Sequence, residues 1–152
     1  MLFRRAKPQK AYVFIDVDGT ISPNQYPEGD YFCSDWNGCH YFSSKFREQL
    51  SLLPAEKIWL TNWEEDAEET FQCGWRTLKG NREQGDLWKY FALQQFIETH
   101  QVSKLVWLDD EIVKWQTSIP PFTVPTLKIS PPSYLGLSED DLLTVKDFLL
   151  NP

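Results

Sequence analysis

Cysteine is scarce in this chain of 152 residues. The three cysteines, Cys33, Cys39 and Cys73, are an odd number and include no Cys-x-x-Cys pair. Cys33 and Cys39 together with His40 offer three ligands to a soft metal, whereas a structural zinc site needs four ligands at characteristic spacings. We therefore expect ordinary reduced thiols and no zinc site.

Long hydrophobic runs are also missing. The apolar run at residues 11–15 follows a basic N-terminal segment and is ended by Asp16. A membrane-spanning helix needs about 20 apolar residues, and a signal peptide needs a longer apolar stretch followed by a small-residue cleavage site. These absences predict a soluble cytoplasmic protein that does not associate with membranes. The basic segment predicts a flexible N-terminus at residues 1–10.

Basic residues are outnumbered by acidic ones, 15 to 22, which leaves a net charge of −7. A chain with this balance is not an electrostatic binder of nucleic acid. Hydrophobic residues make up 41% of the chain and aromatic residues 15%, which excludes a disordered chain and allows a dense core. The length fits a single domain that spans residues 1–152.

Short apolar runs alternate along the chain with longer stretches of helical periodicity. The short runs predict strands at 11–15, 57–60, 75–78, 104–108 and 123–129, and the longer stretches predict helices at 41–53, 63–71, 86–99 and 138–150. We expect Asp86 and Ser138 to cap the last two helices. This alternation predicts a three-layer α/β/α, Rossmann-like fold with a central parallel sheet of about five strands.

Acidic and hydroxyl side chains follow three of the predicted strands. Asp16 and Asp18 come after the first strand, Thr61 after the second, and Asp109 and Asp110 after the fourth. The carboxyl ends of parallel strands meet at one edge of a sheet, so these side chains should converge. Crowded carboxylates stay ionised when a cation neutralises them, and oxygen ligands favour Mg²⁺.

Phosphoryl transfer needs the residue types that this edge supplies. An aspartate such as Asp16 can attack phosphorus, and a second carboxyl such as Asp18 can protonate the leaving group and later activate water. Gly19 lets the backbone turn sharply beside a phosphate. A threonine hydroxyl and a lysine ammonium can hold the phosphoryl oxygens as their charge grows.

Three segments resemble motifs of the haloacid dehalogenase-like superfamily, in the order that the superfamily shows. Asp16-Val-Asp-Gly-Thr-Ile21 resembles the first motif, Lys57-Ile-Trp-Leu-Thr61 the second and Val106-Trp-Leu-Asp-Asp110 the fourth. The third motif is a single lysine, for which we choose Lys89 over Lys79. The segments around Trp59–Glu65, Trp88–Lys89 and Trp107–Ile112 are more narrowly similar to small, mostly bacterial members, a related branch of which is associated with RNA repair.

The resemblance implies a magnesium-dependent phosphatase that forms an aspartyl-phosphate. Asp16 would be the nucleophile and a metal ligand, and Asp18 the acid/base whose main-chain carbonyl also binds the metal. Asp109 would be a further metal ligand, with Asp110 beside it in the metal site. Within the superfamily, an acid at the position of Asp18 indicates a phosphatase or phosphotransferase rather than a dehalogenase or phosphonatase. The resemblance also implies that Thr61 and Lys89 bind the phosphoryl group. Gly19, Thr20 and Asn62 are further candidates for substrate binding, and Asn62, which follows Thr61, could equally serve packing.

The predicted elements leave no room for a full cap domain over the site. Helices and strands occupy most of the segment from Asp18 to Thr61 and of that from Thr61 to Lys89, so residues 22–40 alone remain as an irregular minimal cap or lid. The expected substrate is a phosphorylated small molecule, protein or nucleic-acid end, and an open site suits the large ones better than a small sugar phosphate. The aromatic residues of this stretch could form a lid that stacks on a base; they are Tyr26, Tyr31, Phe32 and Trp36.

Other interpretations of the same residues stay open. Asp110 could cap a helix that starts at Glu111, and Lys89 could be a solvated lysine. A signalling receiver domain also uses acidic residues, threonine and lysine, but there the acid pair precedes the phosphorylated aspartate, which is the reverse of the order here. The main functional alternative is a regulatory protein that binds metal and phosphate without turnover. Neither a phosphatase nor a non-catalytic binding protein of this kind requires an obligatory protein partner.

Overall fold

The computed structural model of the protein describes residues 9–25, 28–34 and 38–152. No helix in these ranges is long and apolar enough to cross a membrane. The elements, in chain order, are β1 (Lys10–Ile15), β2 (Tyr31–Ser34), β3 (Gly38–Tyr41), α1 (Ser44–Ser51), β4 (Glu56–Trp59), α2 (Glu65–Phe71), β5 (Arg76–Thr77), a 3₁₀-helix (Arg82–Leu87), α3 (Trp88–Thr99), β6 (Val102–Leu108), α4 (Ile112–Trp115), β7 (Thr126–Ile129) and α5 (Glu139–Leu150).

The central sheet has five strands in the order β5-β4-β1-β6-β7. All four neighbouring pairs are parallel. The middle strand, β1, pairs with β4 on one side and β6 on the other, so that Ile15 lies beside both Trp59 and Leu108. The predicted α/β fold with a parallel sheet of five strands is confirmed.

The two faces of the sheet are covered by different helices. Alternate residues of β1 point to opposite faces, as the period of a strand requires. Val13 and Ile15 join a buried cluster with side chains of α1, α2 and α5. Tyr12 and Phe14 join a second buried cluster with side chains of α3 and α4. Because both faces are covered, β1 is a nearly continuous apolar run.

The prediction of an irregular stretch at residues 22–40 is wrong in part. Strands β2 and β3 form an antiparallel hairpin, and Cys33 and Cys39 are directly opposite each other in it and form a disulfide. The expectation of reduced thiols is therefore wrong for these two residues, and Cys73 alone is free. With both sulfur atoms in the disulfide, the soft-metal site considered for Cys33, Cys39 and His40 is also excluded. Of the suggested lid aromatics, Tyr26 and Trp36 lie outside the described residues.

Two helix starts differ from the sequence prediction. Helix α1 begins at Ser44 rather than residue 41, because Tyr41 pairs in the hairpin and the Ser43 side chain accepts a hydrogen bond from the Phe46 amide. Asp86 does not cap α3, because it lies inside the preceding 3₁₀-helix, where Gly85 breaks the helical path with a φ of 77°. The predicted cap of α5 is confirmed, since Ser138 forms a capping box there.

The disulfide predicts the thiol count of the purified protein. Alkylation under denaturing, non-reducing conditions should modify one cysteine, Cys73, and alkylation after reduction should modify all three. Peptide mass spectrometry should recover Cys33 linked to Cys39. Three reactive thiols without reduction, or a linked peptide that contains Cys73, would contradict the hairpin as described.

Candidate metal site

The chain turns tightly where β1 ends, between Asp16 and Ser22. The amides of Thr20 and Ser22 both donate to the Val17 carbonyl oxygen, and the Gly19 amide donates to the Ser22 carbonyl oxygen. Gly19 has a φ of 71°, a conformation that glycine adopts without cost. These hydrogen bonds close the turn directly after Asp16, at the end of the central strand.

Three carboxylates meet at this edge of the sheet. Asp16, Asp109 and Asp110 each offer one oxygen, and these oxygens all lie within 4.8 Å of one another. Asp16 and Asp109 are buried, and Asp110 is partly buried. The main chain fixes their spacing, because the Asp16 amide donates to the Leu108 carbonyl oxygen across the ladder of β1 and β6. This group could hold a metal ion.

Lys89, in the first turn of α3, reaches into the acidic group. Its Nζ lies 2.6 Å from Asp109 Oδ2 and 3.1 Å from Asp16 Oδ1. The residue is only 3% exposed, so it is not a solvated lysine. Lys79, the alternative for the third motif, lies on the surface and pairs with Glu65. The structure thus brings Lys89, and not Lys79, to the carboxylates.

Burial and mutual repulsion make the carboxyl groups hard to ionise. Burial raises the pKa of Asp16 well above its usual range, and the charge of Asp109 raises it further. Burial also raises the pKa of Asp109. The pKa of Asp110 is raised to about 6 by burial and by the charges of Asp109 and Glu111. For Lys89, burial alone would lower the pKa, but the charges of Asp16 and Asp109 outweigh it and the pKa is raised.

The charge balance of the group fits a divalent cation. Three ionised carboxylates and one ammonium carry a formal charge of −2 in a largely buried place. A buried excess of negative charge is costly, and a bound cation removes that cost. The donors are all carboxylate oxygens, the ligand type of hard ions such as Mg²⁺ and Ca²⁺.

Asp18 does not join the three carboxylates. Its Oδ2 accepts a hydrogen bond of 2.9 Å from the indole Nε1 of Trp63, and its Oδ1 lies 3.9 Å from His40 Nδ1. The side chain is 63% exposed and lines the same cavity as Asp16. Asp18 is therefore at the mouth of the site, and its carboxylate faces the hairpin.

The hydroxyl residues of the motifs are buried around the carboxylates. Thr20 Oγ1 accepts a hydrogen bond of 3.1 Å from the Asp110 amide, and Thr61 Oγ1 accepts one of 3.2 Å from the Trp63 amide. Asn62 is exposed, and its main-chain carbonyl oxygen accepts a hydrogen bond from the Arg82 guanidinium. Thr20 thus supports the acid pair, whereas Thr61 and Asn62 line the cavity.

Helix α4 is not capped by Asp110. The Asp109 carboxylate accepts a hydrogen bond of 2.9 Å from the Glu111 amide, and the Asp110 carboxylate instead lies against Gly19. Asp109 therefore orders the turn after β6 and contacts Lys89 with its other oxygen.

A cavity of about 210 Å³ connects these side chains to solvent. Its lining residues are Asp16, Asp18, Asn24, Thr61, Asn62, Lys89, Asp110 and Glu111. Asn24 and Glu111 were not predicted from the sequence. Glu111 directly follows the acid pair, which was an available signal. No sequence pattern indicates Asn24, because it reaches the cavity through a main-chain contact to the distant Ser133.

Comparison with known proteins finds no matching family model, no matching curated protein and no matching solved structure.

Magnesium should stabilise the folded protein, and more so at neutral than at acidic pH. Raised carboxyl pKa values mean that the metal-free folded state binds more protons than the unfolded state, so its stability falls as pH rises from about 4 through 6. At ten times Kd, Mg²⁺ should add about 1.4 kcal/mol at pH 7.5, which raises Tm by about 3–6 °C. At pH 5 the rise should be smaller, because protons compete at Asp110.

Thermal unfolding with and without Mg²⁺ at the two pH values measures this effect. Asp110→Asn should reduce the rise in Tm, whereas Glu69→Gln, which removes an exposed carboxylate from α2, should leave it unchanged. An equal rise at both pH values, or an equal response of the two variants, would count against a metal at the buried carboxylates.

Gly19 should be required for metal binding because it lacks a Cβ, and not only because of its positive φ. A Cβ at position 19 would lie 2.4 Å from Asp110 Oδ2, so that Gly19→Ala must displace the carboxylate. Gly74 is a matched control, since its φ is 77° and no atom lies within 4 Å of an added Cβ. The positive φ alone should cost each variant about 1–2 kcal/mol of stability, and Gly19→Ala should cost more, because its Cβ would also lie 2.8 Å from Ser133 Cβ. Gly19→Ala alone should weaken Mg²⁺ binding about tenfold or more in calorimetric titration; the same affinity in both variants would contradict the contact.

Proposed function

We propose that the protein is a magnesium-dependent phosphohydrolase in which Asp16 is the nucleophile. The observation that carries the proposal is the buried group of three carboxylates contacted by the Lys89 ammonium at the end of the central strand. The resemblance of three segments to motifs of the haloacid dehalogenase-like superfamily supports the same assignment. Asp16, Asp109 and Asp110 would hold the ion, together with the main-chain carbonyl of Asp18 that the resemblance implies.

A bound Mg²⁺ would neutralise phosphoryl oxygens and hold them next to Asp16. In the first step a carboxylate oxygen of Asp16 forms a bond to phosphorus while the bond to the leaving oxygen breaks. Protonated Asp18 gives its proton to that leaving oxygen. In the second step water attacks phosphorus, Asp18 accepts a proton from the water, and the Asp16 carboxylate is released with inorganic phosphate.

Lys89 and Thr61 supply positive charge and a hydrogen-bond donor to the transferring group. The Lys89 ammonium already contacts Asp16 and is buried, so its charge acts in a medium of low dielectric constant. Thr61 Oγ1 accepts from the Trp63 amide, which leaves its hydroxyl proton for a phosphoryl oxygen. These two side chains would bind the equatorial oxygens as their charge increases.

The surroundings of the site have room for the leaving group of a phosphoester. A second cavity, of about 380 Å³, shares Asn62, Lys89 and Glu111 with the first one. Arg82 and Lys114 line this second cavity. The leaving group can therefore extend into a polar space beside the carboxylates, which is consistent with a phosphorylated protein, a nucleic-acid end or a small polar phosphoester as substrate.

Asp16→Asn should abolish Mg²⁺-dependent hydrolysis of 4-nitrophenyl phosphate. The amide cannot form the aspartyl-phosphate, so kcat/KM should fall by roughly four orders of magnitude, as expected for loss of a nucleophile. Glu69→Gln on α2 is the control and should retain wild-type activity. Circular dichroism should show that both variants are folded.

Beryllofluoride, a mimic of the phosphoryl group, separates the proposal from the alternative of a non-catalytic binding protein. A phosphatase should hydrolyse the ester and be inhibited by beryllofluoride with Mg²⁺. Binding of beryllofluoride without hydrolysis of any phosphoester in a broad panel would favour the binding protein. Unchanged turnover in Asp16→Asn would overturn the assignment of the nucleophile.

A further inference from the structure

The carboxylate of Asp18 is held although it is exposed. An exposed aspartate side chain ordinarily samples several rotamers and loses entropy when it is fixed. Here the indole Nε1 of Trp63 donates a hydrogen bond of 2.9 Å to Asp18 Oδ2. Trp63 is only 7% exposed, so a buried ring anchors one oxygen of an exposed carboxylate, whose other oxygen lies 3.9 Å from His40 Nδ1.

Trp63 is itself fixed by contacts from three directions. Its ring stacks on Phe71 of α2, with centroids 5.6 Å apart, and the ring of His40 on the hairpin packs edge-on at 4.4 Å. The Trp63 amide donates to Thr61 Oγ1. A single residue thus contacts Thr61 through its main chain and Asp18 through its side chain.

We propose that Trp63 is a positioning residue, which orients Asp18 for proton transfer to the leaving group. This inference rests on the proposed phosphohydrolase function. An indole N–H is a donor only, so it can bind a carboxyl oxygen that carries no proton. With Oδ2 occupied by Trp63, Oδ1 is the oxygen left to pass a proton to the reacting groups; it lies 3.9 Å from His40 Nδ1. That proton passes from Oδ1 to the leaving oxygen as the bond between this oxygen and phosphorus breaks.

The dependence of the rate on the leaving group tests this role. Phenyl phosphate has a poor leaving group that needs a proton, whereas 4-nitrophenolate leaves readily without one. Trp63→Phe keeps an aromatic ring against Phe71 and removes the indole N–H. It should lower kcat/KM for phenyl phosphate by about 10- to 100-fold. This loss is a part of the rate enhancement that a general acid contributes. For 4-nitrophenyl phosphate the loss should stay below about threefold.

Trp59→Phe is the matched control. The Trp59 indole also donates to a carboxylate, Glu68 Oε1 at 3.1 Å, but this pair lies outside the cavity that contains Asp18. Trp59→Phe should change kcat/KM for phenyl phosphate and for 4-nitrophenyl phosphate by the same factor. The rise in Tm with Mg²⁺ should be the same in both variants and the wild type, which separates misplacement of Asp18 from damage to the metal site.

A comparison in the Asp18→Asn background gives a second readout. If Trp63 acts through Asp18, adding Trp63→Phe to Asp18→Asn should not lower kcat/KM for phenyl phosphate further. An equal loss for the two esters in Trp63→Phe, or additive losses in the double variant, would overturn the positioning role while the phosphatase remained active. Wild-type protein that hydrolyses neither ester with Mg²⁺ would overturn the proposed function and this inference together.

Discussion

The contact of one buried ammonium with two buried carboxylates organises the site. Lys89 lies within hydrogen-bonding distance of both Asp16 and Asp109, whereas its charge lowers the pKa of Asp110 less than burial and the neighbouring carboxylates raise it. An unpaired charge in such a place would be neutralised by a shift of its pKa. The acidic group is therefore compensated in part, and the remaining negative charge makes it a place for a cation. Without Lys89, the same three carboxylates would repel one another at the end of the sheet.

The order of the strands explains why these residues meet. From β1 the chain passes to β4 and β5 on one side of the central strand and then crosses to β6 and β7 on the other side. The carboxyl ends of strands at such a switch point form a crevice in α/β sheets. Asp16 follows β1 and Asp109 follows β6, and α3 between β5 and β6 carries Lys89 into the crevice from one face. Two strand ends and the first turn of one helix therefore bring together residues that are far apart in the chain.

Much of the fold and of the candidate site could be predicted from the sequence, because strands and motif residues depend on local patterns. Apolar runs identified all five strands of the sheet, and acids at strand ends identified Asp16, Asp109 and Asp110. The remainder depends on contacts between distant segments. No local pattern pairs Trp63 with Asp18, which are 45 positions apart in the chain. The pairing of Cys33 with Cys39 follows from the register of a hairpin that the sequence did not predict. Asp86 was misassigned as a cap because the 3₁₀-helix interrupted by Gly85 left few local signals.

The clustered carboxylates of Asp16, Asp109 and Asp110 are proposed to hold a divalent cation. Crystals grown with Mn²⁺, an oxygen-preferring substitute for Mg²⁺ with a measurable anomalous signal, test this most directly. We predict one strong anomalous peak at coordination distance from oxygens of Asp16, Asp109 and Asp110, and no such peak in crystals of Asp109→Asn. A well-ordered site with no peak there, or a peak that persists in Asp109→Asn, would contradict the account.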